Sequence, residues 1–96
     1  MRADYDSQSD TIQIELEAVD RLDRDDSQVA GVIVGIHEER PAMIDLIGIG
    51  AGIDERLRNV GERYDLDAQV LIAAARAALA APDRLITLEV AFSTAA

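Results

Sequence analysis

The chain has no cysteine, no lysine and no tryptophan, and only one histidine and two prolines in 96 residues. Without cysteine there can be no disulfide and no thiolate metal site, and a reducing cytoplasm is the expected compartment. Without lysine there is no phosphate loop of the Gly-Lys-Ser/Thr type, whose lysine reaches the terminal phosphates. A single imidazole leaves little material for a histidine-based metal site or a catalytic triad. The serines Ser7, Ser9, Ser27 and Ser93 fall in turns or in the tail. No apolar run reaches the length of a bilayer span, and the opening "MRADYDSQSD" is polar and acidic, with no signal-peptide core.

Positive charge is also scarce. Nine arginines face 19 aspartates and glutamates, for a net charge of −10. A polyanion would be repelled, so nucleic acid and anionic membrane surfaces are excluded as expected partners. A basic protein partner is allowed, although acidity of this size also serves solubility alone. Apolar residues make up 49% of the chain and charged residues 29%, the balance of a globular protein, and the length fits one domain.

The residues that are present divide the chain in two. Residues 1–50 read as strands. "TIQIELE" alternates strictly, with Ile12, Ile14 and Leu16 on one face, and "ADYD" before it pairs back through Ser7-Gln8-Ser9 as a hairpin. "AVDRLDRDDSQ" reads as a solvated acidic loop. "VAGVIVGIHEE" is apolar at nearly every position, as in a strand covered on both faces. Gly31 and Gly35 on one face call for something close against it, such as a helix. After the "HEERP" turn, "AMIDLIGI" completes a four-strand meander.

Residues 51–82 change period. Ile53, Leu57, Val60 and Tyr64 form one stripe of an amphipathic helix, with Asp54, Glu55, Arg58 and Glu62 outside it. Asp65 and Asp67 are candidate N-caps for a second helix ended by Pro82. Between Ala68 and Ala81 its only charge is Arg76. Residues 83–92, "DRLITLEVAF", make a fifth strand with Ile86, Leu88, Val90 and Phe92 on one face, and residues 93–96 a tail. The expected fold is therefore α+β, a largely antiparallel five-stranded sheet with two helices on one side. A helix with almost no polar face needs covering on more than one side. The expectation is a homodimer or higher homo-oligomer, formed through Val70, Ala74, Ala77, Ala78 and Ala81.

Four features are candidates for chemistry. Gly48, Gly50 and Gly52 follow a strand and precede a helix, like a dinucleotide-binding turn. Their spacing is G-x-G-x-G, with Ile53 where G-x-G-x-x-G requires glycine, and the strand comes fourth rather than first. Steering of the backbone is the better reading. His37 stands between a strand end and Glu38-Glu39, without convergent partners. Asp20, Asp23, Asp25 and Asp26 lack the order of an EF-hand loop. Asp45 lies inside "MIDLI", where a carboxylate on a covered face is costly unless paired. A pocket near Asp45, His37, Gly48 and Gly50 is the candidate ligand site. No catalytic, cofactor-binding or metal-binding residue is assigned, and no cofactor is expected.

The segments "YDSQSDTIQIEL" and "GVIVGIHEERPAMIDLIGI" together resemble a widespread family of short bacterial proteins, a domain of unknown function. Tyr5, Asp6 and Asp10 match its Tyr-Asp-x-x-x-Asp hairpin, Gly31 to Val34 its Gly-Val-Ile-Val strand, and Asp45 an acidic position in the next strand. The match spans Tyr5 to Ile49. "HEERP" stands where that family has an Asp/Gly-rich turn, and the helical half has no counterpart in its short members. The resemblance implies an antiparallel sheet and no established activity. The expected function is thus a non-enzymatic, self-associating structural or protein-interaction domain. The alternatives are a small-ligand-binding or hydrolytic protein with the pocket above, and an acidic antitoxin-like partner of a small basic toxin.

Overall fold

The computed structural model describes residues 1–89. Strands β1 (Arg2–Asp6), β2 (Thr11–Glu15), β3 (Arg24–Asp26), β4 (Val32–His37), β5 (Arg40–Ile47) and β6 (Ile86–Thr87) form one open antiparallel sheet, in the order β3-β4-β5-β2-β1-β6. A 3-10 turn, Ile49–Ala51, leads into helices α1 (Ile53–Tyr64) and α2 (Ala68–Ala80). Both helices lie on the same face of the sheet. The fold is α+β, with two layers and one core.

Alternation decides which face is buried. Ile12, Ile14, Val32, Val34, Ile44 and Leu46 point inward and are at most 1% exposed. They meet Leu57 and Val60 of α1 and Leu71, Ala74, Ala75 and Ala78 of α2. Burying each of the larger side chains contributes about 1.5–3 kcal/mol. Asp67 caps α2 by accepting from the Gln69 N–H at 3.0 Å, whereas Asp65 ends α1 in the left-handed conformation. The close α1–α2 turn requires Gly61, where an added Cβ would stand 2.8 Å from the Leu66 carbonyl oxygen.

Several expectations change. The strands do not run as a meander, because β2 pairs with β5, Ile14 opposite Ile44, instead of with the next strand in sequence. The long connection from β2 crosses to the far side of the sheet and returns through β3, a strand inside the segment expected to be a loop. Its residues Arg24, Asp25 and Asp26 make a short, charged edge, a form that discourages further strand pairing. Gly35 is covered by the Leu22 side chain, not by a helix: a Cβ there would meet Leu22 at 2.5 Å. The fifth expected strand is described only as Ile86–Thr87, paired with β1, and Leu88 donates its N–H to the Met1 carbonyl at 2.7 Å. Val90 and Phe92 lie outside the described residues.

The alanine-rich helix needs the largest revision. Ala74 and Ala78 are 1% and 0% exposed within the single chain. They pack on the chain's own sheet because a small side chain lets α2 sit close to β1 and β2. Val70, Ala77 and Ala81 are half-buried, and the outward stripe is Gln69, Ala73, Arg76 and Ala80.

Candidate functional site

The four candidate pocket residues do not converge. His37 faces Arg40 at the start of β5, and Gly48 follows the end of that strand. Seven steps of strand, roughly 23 Å, separate the two ends. Asp45 lies between them on the opposite face from the core. The covered face expected for Asp45 is not observed: β5 turns Ala42, Ile44 and Leu46 inward and leaves Met43, Asp45 and Ile47 on the outer side.

The glycine turn is arranged around one buried side chain. Arg56 is 6% exposed. Its Nε donates to the Gly52 carbonyl at 2.6 Å, one terminal nitrogen to the carbonyls of Gly31 (3.2 Å) and Ile47 (2.7 Å), and the other to that of Gly48. Gly48 and Gly52 have φ of 74° and 93°, which lets their carbonyls turn toward the guanidinium. No described carboxylate pairs with it; burial lowers its pKa and Asp10 partly offsets this. A guanidinium whose donors are taken by four carbonyls holds the turn together and has little left to offer a phosphate. Arg56 lies on the buried side of an otherwise ordinary i, i+4 stripe, and its charge concealed this role in the sequence.

The hairpin motif Tyr5-Asp6…Asp10 is likewise structural. Asp6 accepts from the Gln8 and Ser9 N–H groups at 2.9 and 3.3 Å, forming the turn. The Tyr5 hydroxyl donates to Asp10 at 2.7 Å, and this bond raises the tyrosine pKa. Asp83 grips the turn from outside through the Ser7 N–H and hydroxyl, at 2.9 and 2.7 Å.

His37 is half-buried. Its Nδ1 has no hydrogen-bond partner among the described residues and stands 3.9 Å from the nearest Asp23 oxygen. The Glu38 N–H, with His37, Arg21 and Arg24 adding, holds the Asp23 carboxyl below its ordinary range. Asp20 and Asp25 are exposed, and Asp26 accepts from the Tyr64 hydroxyl at 2.8 Å. Among the described residues no group of three or more metal-ligating side chains is arranged to hold an ion.

What the chain does present is the outer face of the sheet. One row crosses four strands, Asp4 opposite Gln13, Gln13 opposite Asp45, and Asp45 opposite Ile33. At about 4.8 Å per strand it is some 14 Å long. Gln13 donates its amide to Asp45 at 2.9 Å. Asp4 has no side-chain hydrogen bond among the described residues; partial burial, then the charges of Asp6 and Asp45, push its carboxyl pKa up. A shallow depression of about 270 Å³ joins Asp4, Asp6 and Asp45 to Ser9, Thr11 and Gln13. Ile47, 45% exposed, and Met43 flank Asp45 on β5, one on either side of the row.

Fold and surface together define a two-layer α+β domain whose outer sheet face is acidic and partly apolar; Leu22 lies over it at Gly35, and no described helix covers the Asp4–Gln13–Asp45 row. Comparison with known proteins adds no relative: no family model, curated protein or solved structure matches the chain.

Proposed function

We propose that the chain is a non-enzymatic protein-interaction domain whose uncovered sheet face receives a basic segment of another protein. The observation that carries this reading is the row Asp4–Gln13–Asp45 beside the exposed Ile47. Three carboxylates, Asp4, Asp6 and Asp45, share this face, and no described arginine pairs with any of them. Their mutual repulsion, which adds to partial burial in raising the Asp4 pKa, is relieved by an arriving cation. Two copies stacked face to face would bring these like charges together, so this surface favours a partner of opposite sign. A small basic toxin is one such partner. A homodimer through α2 would use its outer stripe of Gln69, Ala73, Arg76 and Ala80, since Ala74 and Ala78 are occupied by the chain's own core.

The test is a titration of isotope-labelled protein with an alternating Arg-Val peptide at physiological ionic strength, followed by amide chemical shifts. The expected shifts centre on Asp4, Gln13, Asp45 and Ile47, and Asp4→Asn with Asp45→Asn weakens binding by about fivefold to tenfold. Shifts spread evenly over every acidic segment would refute a defined surface. Light scattering on the free protein measures self-association independently.

A further inference from the structure

A second surface lies at the other end of β5 from the glycine turn. Between the β4–β5 hairpin and the C-terminal end of α1 runs a groove of about 420 Å³, within the usual size of small-ligand sites. Its floor is apolar: Leu16, Pro41, Tyr64 and Leu66, each half-buried. The Tyr64 ring is held in place by its hydroxyl's bond to Asp26 at 2.8 Å. The rim is charged, with Glu17, Glu39 and Asp65 against the single cation Arg40.

One feature independent of the rim sets the same preference. The groove meets the C-terminal end of α1, a helix of 12 residues, where the aligned peptide dipoles leave partial negative charge. The hairpin tip, Glu38-Glu39, has φ of 50° and 64°, a pair of left-handed residues suited to Asn-Gly. Glutamate at position 39 is a strained choice, and it places a carboxylate at the groove.

We infer that this groove binds a small organic monocation with an apolar body, an aryl- or alkylammonium. The hydrocarbon part lies on Leu16, Pro41, Tyr64 and Leu66, and the ammonium lies among Glu17, Glu39 and Asp65. The rim's existing pairs are weak competitors. Arg40 meets Glu17 at 3.0 Å and Arg24 meets Glu39 at 3.2 Å, but both pairs join solvent-exposed side chains. Asp65 has no salt bridge among the described residues. A neutral ligand would find the same floor without the electrostatic gain, and an anion would be repelled.

The experiment titrates the labelled full chain with phenethylammonium, with 2-phenylethanol as the neutral comparator and phenylacetate as the anionic one. Saturable amide shifts at Leu16, Tyr64 and Leu66 are expected for the ammonium, with affinity about tenfold above that of the alcohol. Glu39→Gln and Asp65→Asn should each weaken it severalfold; asparagine tolerates the left-handed conformation at 65, and an otherwise unchanged spectrum verifies the fold. Arg40→Gln removes the competing cation and should tighten binding, a gain that misfolding cannot imitate. Equal affinity for the alcohol, no saturable shift at tens of millimolar, or no response to Arg40→Gln overturns the inference. So do shifts confined to Asp4, Gln13 and Asp45, which would leave the proposed sheet interface standing.

Discussion

Replacing Glu38-Glu39 by Asn-Gly should make the protein more stable. Both residues sit at φ above +20°, at 50° and 64°, where an ordinary L-residue is disfavoured by about 1–2 kcal/mol. Asparagine relieves part of that cost at position 38 and glycine nearly all of it at 39, giving roughly 1.5–2 kcal/mol in total. Two losses oppose the gain. Glycine adds about 0.5 kcal/mol of chain entropy to the unfolded state. The Arg24–Glu39 pair, with side chains 52% and 86% exposed, contributes less than about 0.5 kcal/mol. The net expectation is about 1 kcal/mol of stabilisation, which in a domain of this size raises Tm by roughly 4–8 °C. Thermal unfolding followed by circular dichroism, with urea unfolding as a second measure, reads the change directly. An unchanged or lowered Tm refutes the claim that the tip is strained. The same double substitution should weaken ammonium binding at the adjoining groove, so stability and binding move in opposite directions.

The other expectations concern groups whose sequence context hides their role. Arg56→Ala leaves four inward carbonyls without a donor and should cost about 3–5 kcal/mol, whereas Arg56→Lys, which keeps the charge but not the fork, should lose roughly half as much in urea unfolding. Gly61→Ala, normally stabilising within a helix, should instead destabilise by about 1–3 kcal/mol, because its Cβ would meet the Leu66 carbonyl at 2.8 Å and the Ala68 Cβ at 3.0 Å. Asp26 and Asp83 have lowered pKa values, from the Tyr64 hydroxyl and the Ser7 turn respectively. Their contribution is present above the ordinary aspartate value of 3.8 and lost as pH falls through their folded values. Asp4 has the opposite sign: its raised pKa favours folding in acid, a benefit lost as pH rises through its folded value. Asp4→Asn should therefore raise stability at neutral pH and change it little below 3.8, as denaturant unfolding at the two pH values would show.

The parts of this fold legible in the sequence are those where a single period dominates. Ile12 and Ile14 alternate with Thr11, Gln13 and Glu15, and the structure buries the first set and leaves the second half-buried or exposed on the outer face. Ile53, Leu57 and Val60 repeat at helical spacing and are buried on α1, with Asp54, Glu55, Arg58 and Glu62 turned away from the core. Strand order was hidden because alternation fixes which face of a strand is buried but not which neighbour it pairs with. β2 and β5 both offer inward isoleucines, and Ile14 opposite Ile44 satisfies them as well as a pairing with β4 would. The short strand β3 was hidden by its composition, since Arg24-Asp25-Asp26 carries an edge's charges and no apolar alternation.

The candidate surfaces were harder to read for a related reason. Asp45 was conspicuous as a charge among apolar residues, and that contrast suggested a buried acid. The contrast has another origin: on a sheet covered on one side only, the uncovered face can carry Met43, Asp45 and Ile47 in succession without penalty. Arg56 presents the reverse case. It sits at a polar-looking position of α1, yet the helix turns it inward, where the carbonyls of Gly31, Ile47, Gly48 and Gly52 replace its water. A charged residue's burial depends on what surrounds it in space, and for these two residues the decisive neighbours are Gln13, on the adjacent strand β2 but 32 positions earlier, and Gly31, 25 positions earlier. The Asp4–Asp45 row and the groove beside Glu39 therefore emerge only once the chain is folded. Each joins residues from at least three elements, and no window of sequence contains both.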